Sequence, residues 1–412
     1  MADTKLTGLT ELSVPAIDDW LYWVDKSDTT DDAAGSSRKA SLTRGLGFLN
    51  NLFPGRLSLV TGDPFYAPQN RTASATDTTA DTCDFAAAHG WKTGTMVTPT
   101  ADGGGLSWGT TYYIRAVDTD TVSFHPTFAD ADADTAKVNL TAAITAELIA
   151  LGITWDILYW VPFDGNVVSL YDGTRWRLYQ ASEVSLALAA LTSDKNYDVF
   201  LYDNAGTLTL ELSAAWTSDT ARADALAQQD GVDVKSGAAT RRHVGTFRTV
   251  STTTIEDSHQ KRFLWNAYHR RRVQLFKTDI TTTWTYTTAT WRQARADATN
   301  QVEIVCGKEG SSQACVQLGG RNINTSINIH ANMGIGENST TAPARPSIIT
   351  RFASTTTNAA VFQYSFIHRC PRLGYSTYAW LEYSDAGTGT TTFYGTPSGN
   401  TYETGLVGSY DA

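Results

Sequence analysis

Apolar and polar positions alternate with period two along most of this chain, as expected for strands with one buried face. Residues 56–61 set Leu57 and Leu59 against Ser58. The same alternation returns at 155–161, 167–171, 195–202 and 207–212. Turn residues punctuate it. Asp172-Gly173 between the third and fourth apolar runs and Asp203-Asn204-Ala205-Gly206 farther on predict two hairpins. Toward the C-terminus, strands are expected at 282–286, 300–306, 314–318, 323–329, 346–351, 360–367, 377–383 and 390–394, separated by Gly- and Thr-rich turns. Helical spacing is rare. Three short helices are expected: residues 41–52, with Ser41 as N-cap and Phe53-Pro54-Gly55 as the stop, residues 141–151, and residues 220–228.

The pattern divides the chain into a mainly β molecule of several parts. Residues 1–55 form a front segment with a short apolar run (6–14) and the cluster Asp18-Asp19-Trp20-Leu21-Tyr22-Trp23-Val24-Asp25. Residues 56–76 and 150–250 make a middle β domain, interrupted at 77–149 by a small inserted β module with short strands and Gly-rich turns. A junction follows at 251–278. The rest, 279–412, carries enough strands for a β-sandwich, or jelly-roll-like, head. Leu-Tyr-Trp-Val occurs at 21–24 and again at 158–161, which reflects strand composition rather than a repeat.

Composition reinforces strands. Only 18% of residues are charged, and 12 Trp and 18 Tyr accompany abundant Thr, residues that favour a pleated surface. A net charge of −10 argues against general binding of a nucleic-acid backbone, which needs clustered cations to release counterions. The first 20 residues carry Asp3, Glu11, Asp18 and Asp19, so no signal peptide and no membrane-inserting segment is expected. Cys83, Cys306, Cys315 and Cys370 lack metal-ligand spacing. Cys306 and Cys315 flank a turn and are expected as reduced, buried thiols. Asp130-Ala131-Asp132-Ala133-Asp134 hints at a calcium loop but has Thr135 where glycine is needed and Thr141 where glutamate is needed, so a solvated acidic turn is the better reading. The seven histidines are scattered; His243 and His269 sit beside arginines, a setting that lowers an imidazole pKa. Gly334-Ile335-Gly336 lacks the dinucleotide fingerprint and a following helix. No cofactor, metal or catalytic residue is expected.

Four stretches carry a resemblance. The front segment, with "DDWLYWVD" at 18–25 and "SRKASL" at 37–42, resembles the virion-attachment segment of tail fibre and related structural proteins of tailed bacteriophages. The insertion, with "FAAAHGWKTGT" and "GTTYYIRAVDTDTVSF", resembles a small β module recurrent in phage structural proteins, and residues 170–249 resemble the middle domain of tail-associated ones. The final 130 or so residues, including "GYSTYAWLEYSDAGTGTTTFYG", resemble their C-terminal head. The resemblance implies a non-enzymatic virion structural protein, a homotrimeric tail fibre or tail-tip part made in the bacterial cytoplasm. A capsid decoration or head-fibre protein is the alternative, and a glycan-degrading tailspike the second.

Within that frame, Trp20, Tyr22, Trp23, Arg38 and Lys39 are the expected docking residues toward other virion proteins. Arg270, Arg271 and Arg272 lie in the one basic patch of an acidic chain; they meet an acidic neighbour in the particle or, preferred here, pair within a subunit seam. Tyr375, Tyr378 and Trp380 cluster near the C-terminus as candidate contacts to a host-surface glycan, against the plainer reading of a sandwich core. Tyr378, Trp380 and Glu382 share one face of their strand. Glu382 with Asp385 is the carboxylate pair a glycosidase reading would use, weighed against ordinary surface charges.

Overall fold

The computed structural model of the chain describes residues 20–25, 36–41, 52–345, 348–349, 352–353, 356–385, 389–397 and 404–412. The chain is mainly β, about 50% strand and 3% helix. The expected helix at 41–52 lies outside the described residues except at its ends: Ser41 closes the strand Ser36–Ser41.

Among the described residues, 14 of the 34 strands join one sheet. It starts at Phe352–Ala353 and passes through His330–Glu337, Gly374–Ser384, Gln301–Cys306, Lys261–Arg262 and Ile255–Ser258 to Glu147–Trp155. From there it continues through Thr95–Pro99, Tyr112–Ala116, Thr121–His125 and Thr82–Asp84 to Ala75–Asp77. Backbone hydrogen bonding therefore runs unbroken from the insertion, through the junction, into the head. Glu147–Trp155 is the pivot. It pairs with Thr95–Pro99 along one edge and, from Gly152 to Trp155, with Ile255–Ser258 along the other. A bulge between Ala150 and Gly152 makes this crowding possible, and a Cβ on Gly152 would stand 2.3 Å from the Asp257 carbonyl oxygen. The sequence boundary at 149/150 falls inside this strand.

Among the described residues three large apolar cores fill the layers, beside a small fourth at Trp176 and Val232. In the head, Val302, Ile304, Met333, Ile335, Tyr378 and Trp380 from the long sheet meet Leu275, Val316, Leu318, Phe393, Leu406 and Tyr410 from a seven-stranded sheet. That second sheet orders Arg272–Thr278, Gly405–Asp411, Ala314–Asn324, Ala360–Arg369 and Ile348–Ile349. Each of these large side chains contributes roughly 1.5–3 kcal/mol by leaving water, so the head is a sandwich held by its interior. The middle core gathers Leu57, Trp160, Leu170, Val199, Leu201 and Phe247, and the insertion closes on Val97, Ile114, Val122 and Phe124.

Both expected hairpins form. Val167–Tyr171 pairs with Trp176–Gln180, and Asp172 Oδ1 accepts from the Thr174 and Arg175 amides in the loop between them. Asn196–Asn204 pairs with Thr207–Leu212 through Ala205-Gly206, both at positive φ (52° and 93°), as a two-residue turn requires.

Two expected helices do not form. Residues 147–155 are strand, since pairing on both edges outweighs the helix propensity of the Ala-rich run before them. Residues 217–225 are loop, leading into the strand Leu226–Gln229. A helix appears instead at Phe128–Ala133, within the expected acidic turn. The Thr127 hydroxyl caps it by accepting from the Asp130 amide, and left-handed Asp134 ends it. Cys306 is buried and Cys315 half-buried, in different sheets, and both are free thiols. Only the first fits the expected pair of buried thiols.

Candidate binding surfaces of the hairpin and head

The front docking residues occupy an antiparallel ladder of Trp20–Asp25 with Ser36–Ser41. Its register sets Trp23 opposite Arg38, Tyr22 opposite Lys39 and Trp20 opposite Ser41. Aromatic and cationic positions expected to act together thus stand opposite one another in the ladder.

The basic patch is divided. Arg271 is committed within the chain, donating from Nη1 to the Phe65 carbonyl (2.5 Å) and from Nη2 to that of Tyr66 (2.7 Å). Its backbone pairs in both directions with Ala412. Arg272 Nε donates to Ser409 Oγ (2.8 Å), and Arg270 lies 5.5 Å from the Trp265 ring centroid. Arg270 and Arg272 stay exposed at the surface, while Arg271 staples the 65–66 loop to the last strand. The three are therefore not one uniform seam.

The aromatic cluster belongs to the interior. Tyr378 and Trp380 are fully buried in the head core, so they are not a surface on which a sugar ring can stack. Tyr375 is half-buried; its hydroxyl donates to Glu303 Oε2 (2.5 Å), and the Arg248 guanidinium covers its ring at 3.9 Å. The glycan-contact expectation fails at Tyr378 and Trp380 because both faces of Gly374–Ser384 are covered, Ala379 and Leu381 being buried as well. Glu382 shares the Tyr378 and Trp380 face, as expected, and is equally inaccessible. It accepts from Arg292 Nε (2.7 Å), from the Arg295 amide (3.1 Å) and from the Trp284 indole. Burial pushes its carboxyl up, against the pull of Trp284 and Arg292. Asp385 instead lies 2.8 Å from His330 Nδ1 and accepts from the Tyr383 hydroxyl (3.0 Å). Glu382 is an internal anchor for Arg292, neither a surface charge nor open to a substrate.

His243 was expected to face arginine and instead faces a carboxylate, with Nε2 3.2 Å from Asp198 Oδ1. Asp198 has no solvent contact. It accepts from Arg222 Nε (2.8 Å), Thr246 Oγ1 (2.7 Å) and Trp216 Nε1 (3.0 Å). Arg222 also donates to the Gly307 carbonyl, which ties the middle domain to the head. Among the described residues no group of three or more His, Cys, Asp or Glu side chains is arranged to hold a metal ion, and no helix is long and apolar enough to cross a membrane.

A surface that the pattern hides lies on the seven-stranded sheet. Ala360–Arg369 is turned inside out over residues 362–365: Phe362 (69% exposed) and Tyr364 (41%) point away from the core, while Gln363 and Ser365 are buried on the inner face that Ile367 shares farther on. The register puts Gly319 beside Tyr364 and Arg321 beside Phe362; Val407, itself 43% exposed, pairs with Gln317. Gln363 faces inward because its amide oxygen accepts from the Met333 amide (2.6 Å) and its nitrogen donates to the Ala331 carbonyl. Period-two alternation marks the strand but does not say which face is inside.

No protein-family model and no curated protein matches the chain. Among solved structures it is similar to the insecticidal delta-endotoxin Cry8Ea1 of Bacillus thuringiensis at 7% identity, over 64% of this chain and 50% of that one, with a TM-score of 0.20. It is also similar to infectious bursal disease virus, Gx strain, at 10% identity, over 89% of this chain and 79% of that one, with a TM-score of 0.17. The chain spans half the length of the endotoxin it matches. At these scores neither likeness bears on function.

Proposed function

We propose that the protein is a non-enzymatic structural part of a bacteriophage virion, a tail fibre or tail-tip component docked through its front hairpin. The single observation that carries the proposal is the inside-out strand Ala360–Arg369. A lone molecule gains nothing by showing Phe362 and Tyr364 to water while burying Gln363 and Ser365. A chain whose head face is covered in an assembly, or pressed on a host-surface polymer, does gain. The resemblance of residues 18–25 and 37–42 to attachment segments supports the same reading, as does their cross-strand pairing. A homotrimer suits such a part, since three shallow sites act at high effective concentration. Its place is the virion.

Removing residues 1–50 tests the docking half of the proposal. The truncated chain is expected to remain folded, by its circular dichroism, and to be missing from purified particles. Truncated chain incorporated at the full-length level would overturn the docking role.

A further inference from the structure

We propose that a cleft where the middle domain, the junction and the last residue of the head meet is a binding site for an oxyanion: a phosphate or sulfate, or the carboxylate of a small acidic sugar. The cleft has a volume of about 570 Å³, the size of a site for a small molecule. Arg56, Arg71, Arg262, Arg271 and Arg272 line it, against one side-chain carboxylate, Asp257. In a chain of net charge −10, five guanidiniums around one cavity are a marked departure from the average surface.

Two of these arginines hold donors that nothing among the described residues uses. Arg56 is 5% exposed, and its Nε and Nη1 are buried without a hydrogen-bond partner; Arg271 Nε is likewise unpartnered. Both guanidiniums lie against the Phe65 ring, at 5.0 and 5.9 Å from its centroid, and both residues line the cleft. Asp257 is already engaged by Arg262 Nη1 (3.0 Å). Leaving buried, charged donors unpaired costs more than a neutral hydrogen bond returns, and a guanidinium fork matches the paired oxygens of a carboxylate or phosphate. The strain is visible in Arg56. Burial and then the charge of Arg271 push its guanidinium down to about 10, against the pull of Asp257. His259 also lines the cleft but is pushed down to about 4, chiefly by burial, so it adds no charge near neutrality. An oxyanion set between Arg56 and Arg271 supplies the missing acceptor.

The test compares the melting temperature of the full chain in sodium phosphate, sodium sulfate or sodium glucuronate with sodium chloride of equal ionic strength. Calorimetric titration of the same anions gives the stoichiometry. A concentration-dependent rise of about 2 °C or more, with a saturable titration of one site per chain, is expected for at least one oxyanion. A response to phosphate and sulfate alone assigns a tetrahedral anion, and a stronger one to glucuronate assigns the sugar carboxylate. Arg56→Met is expected to melt higher than wild type in chloride and to show no anion-dependent rise. Arg56→Lys, which keeps the charge but loses the fork, covers the case of a misfolded Met variant and is expected to bind about tenfold more weakly. No rise beyond that in chloride, or a full rise retained in either variant, overturns the site. The outcome does not depend on whether the protein is a virion part.

Discussion

Asp198 has no contact with water, yet every acceptor position on its carboxylate faces a donor. Burial alone would push it up; the His243 and Arg222 contacts outweigh that and hold it below the ordinary carboxylate value. Removing one partner of a buried ion pair costs roughly 3–5 kcal/mol, because the other charge is left uncompensated. Asp198→Asn is therefore expected to lower the unfolding free energy by about 3 kcal/mol in a denaturant titration, with Arg222 losing its hold on the Gly307 carbonyl. The pH dependence follows from the depressed value. The group's contribution is fully present above its unfolded pKa, about 3.9, and disappears as pH falls through the lower folded value. Wild type should lose this increment in acid below about pH 4, and Asp198→Asn should not. Equal acid profiles for the two would contradict the pairing. Little of this was legible in the sequence: Arg222, His243 and Thr246 lie 24, 45 and 48 residues from Asp198. The sequence sets His243 beside Arg241 and Arg242, but the Asp198 that its ring meets is 45 residues away and leaves no local sign.

Elements with local causes were legible. The Val167–Tyr171 strand and the Ala205-Gly206 turn follow from alternation and turn chemistry contained within ten residues. Elements fixed by distant partners were not. Glu147–Trp155 is a strand because Thr95–Pro99 and Ile255–Ser258 flank it, and nothing near 141–151 records those partners. His330–Glu337 was passed over as a Gly-Ile-Gly segment, though Gly334 and Gly336 lie in a ladder against Gly374–Ser384. The face of Ala360–Arg369 belongs here too, since spacing shows the strand and not its orientation. Replacing Phe362 and Tyr364 together by Ser is expected to leave the melting temperature within about 2 °C of wild type, as Phe362 is mostly and Tyr364 partly in water and such surface changes stay near ±0.5 kcal/mol each. The same change is expected to cut assembly or host-surface binding sharply, read as the mass in solution and as retention on host cells. Unfolding of the double variant would instead make these side chains structural.

At the scale of the molecule, the sequence shows a mainly β chain in several parts, and the structure joins those parts through one sheet of 14 strands. Insertion, junction and head share that sheet through Glu147–Trp155, Ile255–Ser258 and Lys261–Arg262, so load on the head reaches the rest through backbone hydrogen bonds as well as packing. Such continuity suits a part that transmits force or holds a fixed orientation. The candidate site was less legible than the fold. Tyr378 and Trp380 look like a sugar platform in sequence because aromatic alternation fits a core and a binding face equally, and only burial separates the two.

The central claim, that this chain is a built-in part of a virus particle, is tested most directly by locating it. Purified particles should be labelled with an antibody raised to residues 356–385 and imaged by electron microscopy. The account predicts discrete label at the tail, lost when residues 1–50 are removed. Particles without label, with the chain recovered only as a free 44.7 kDa monomer, would contradict it.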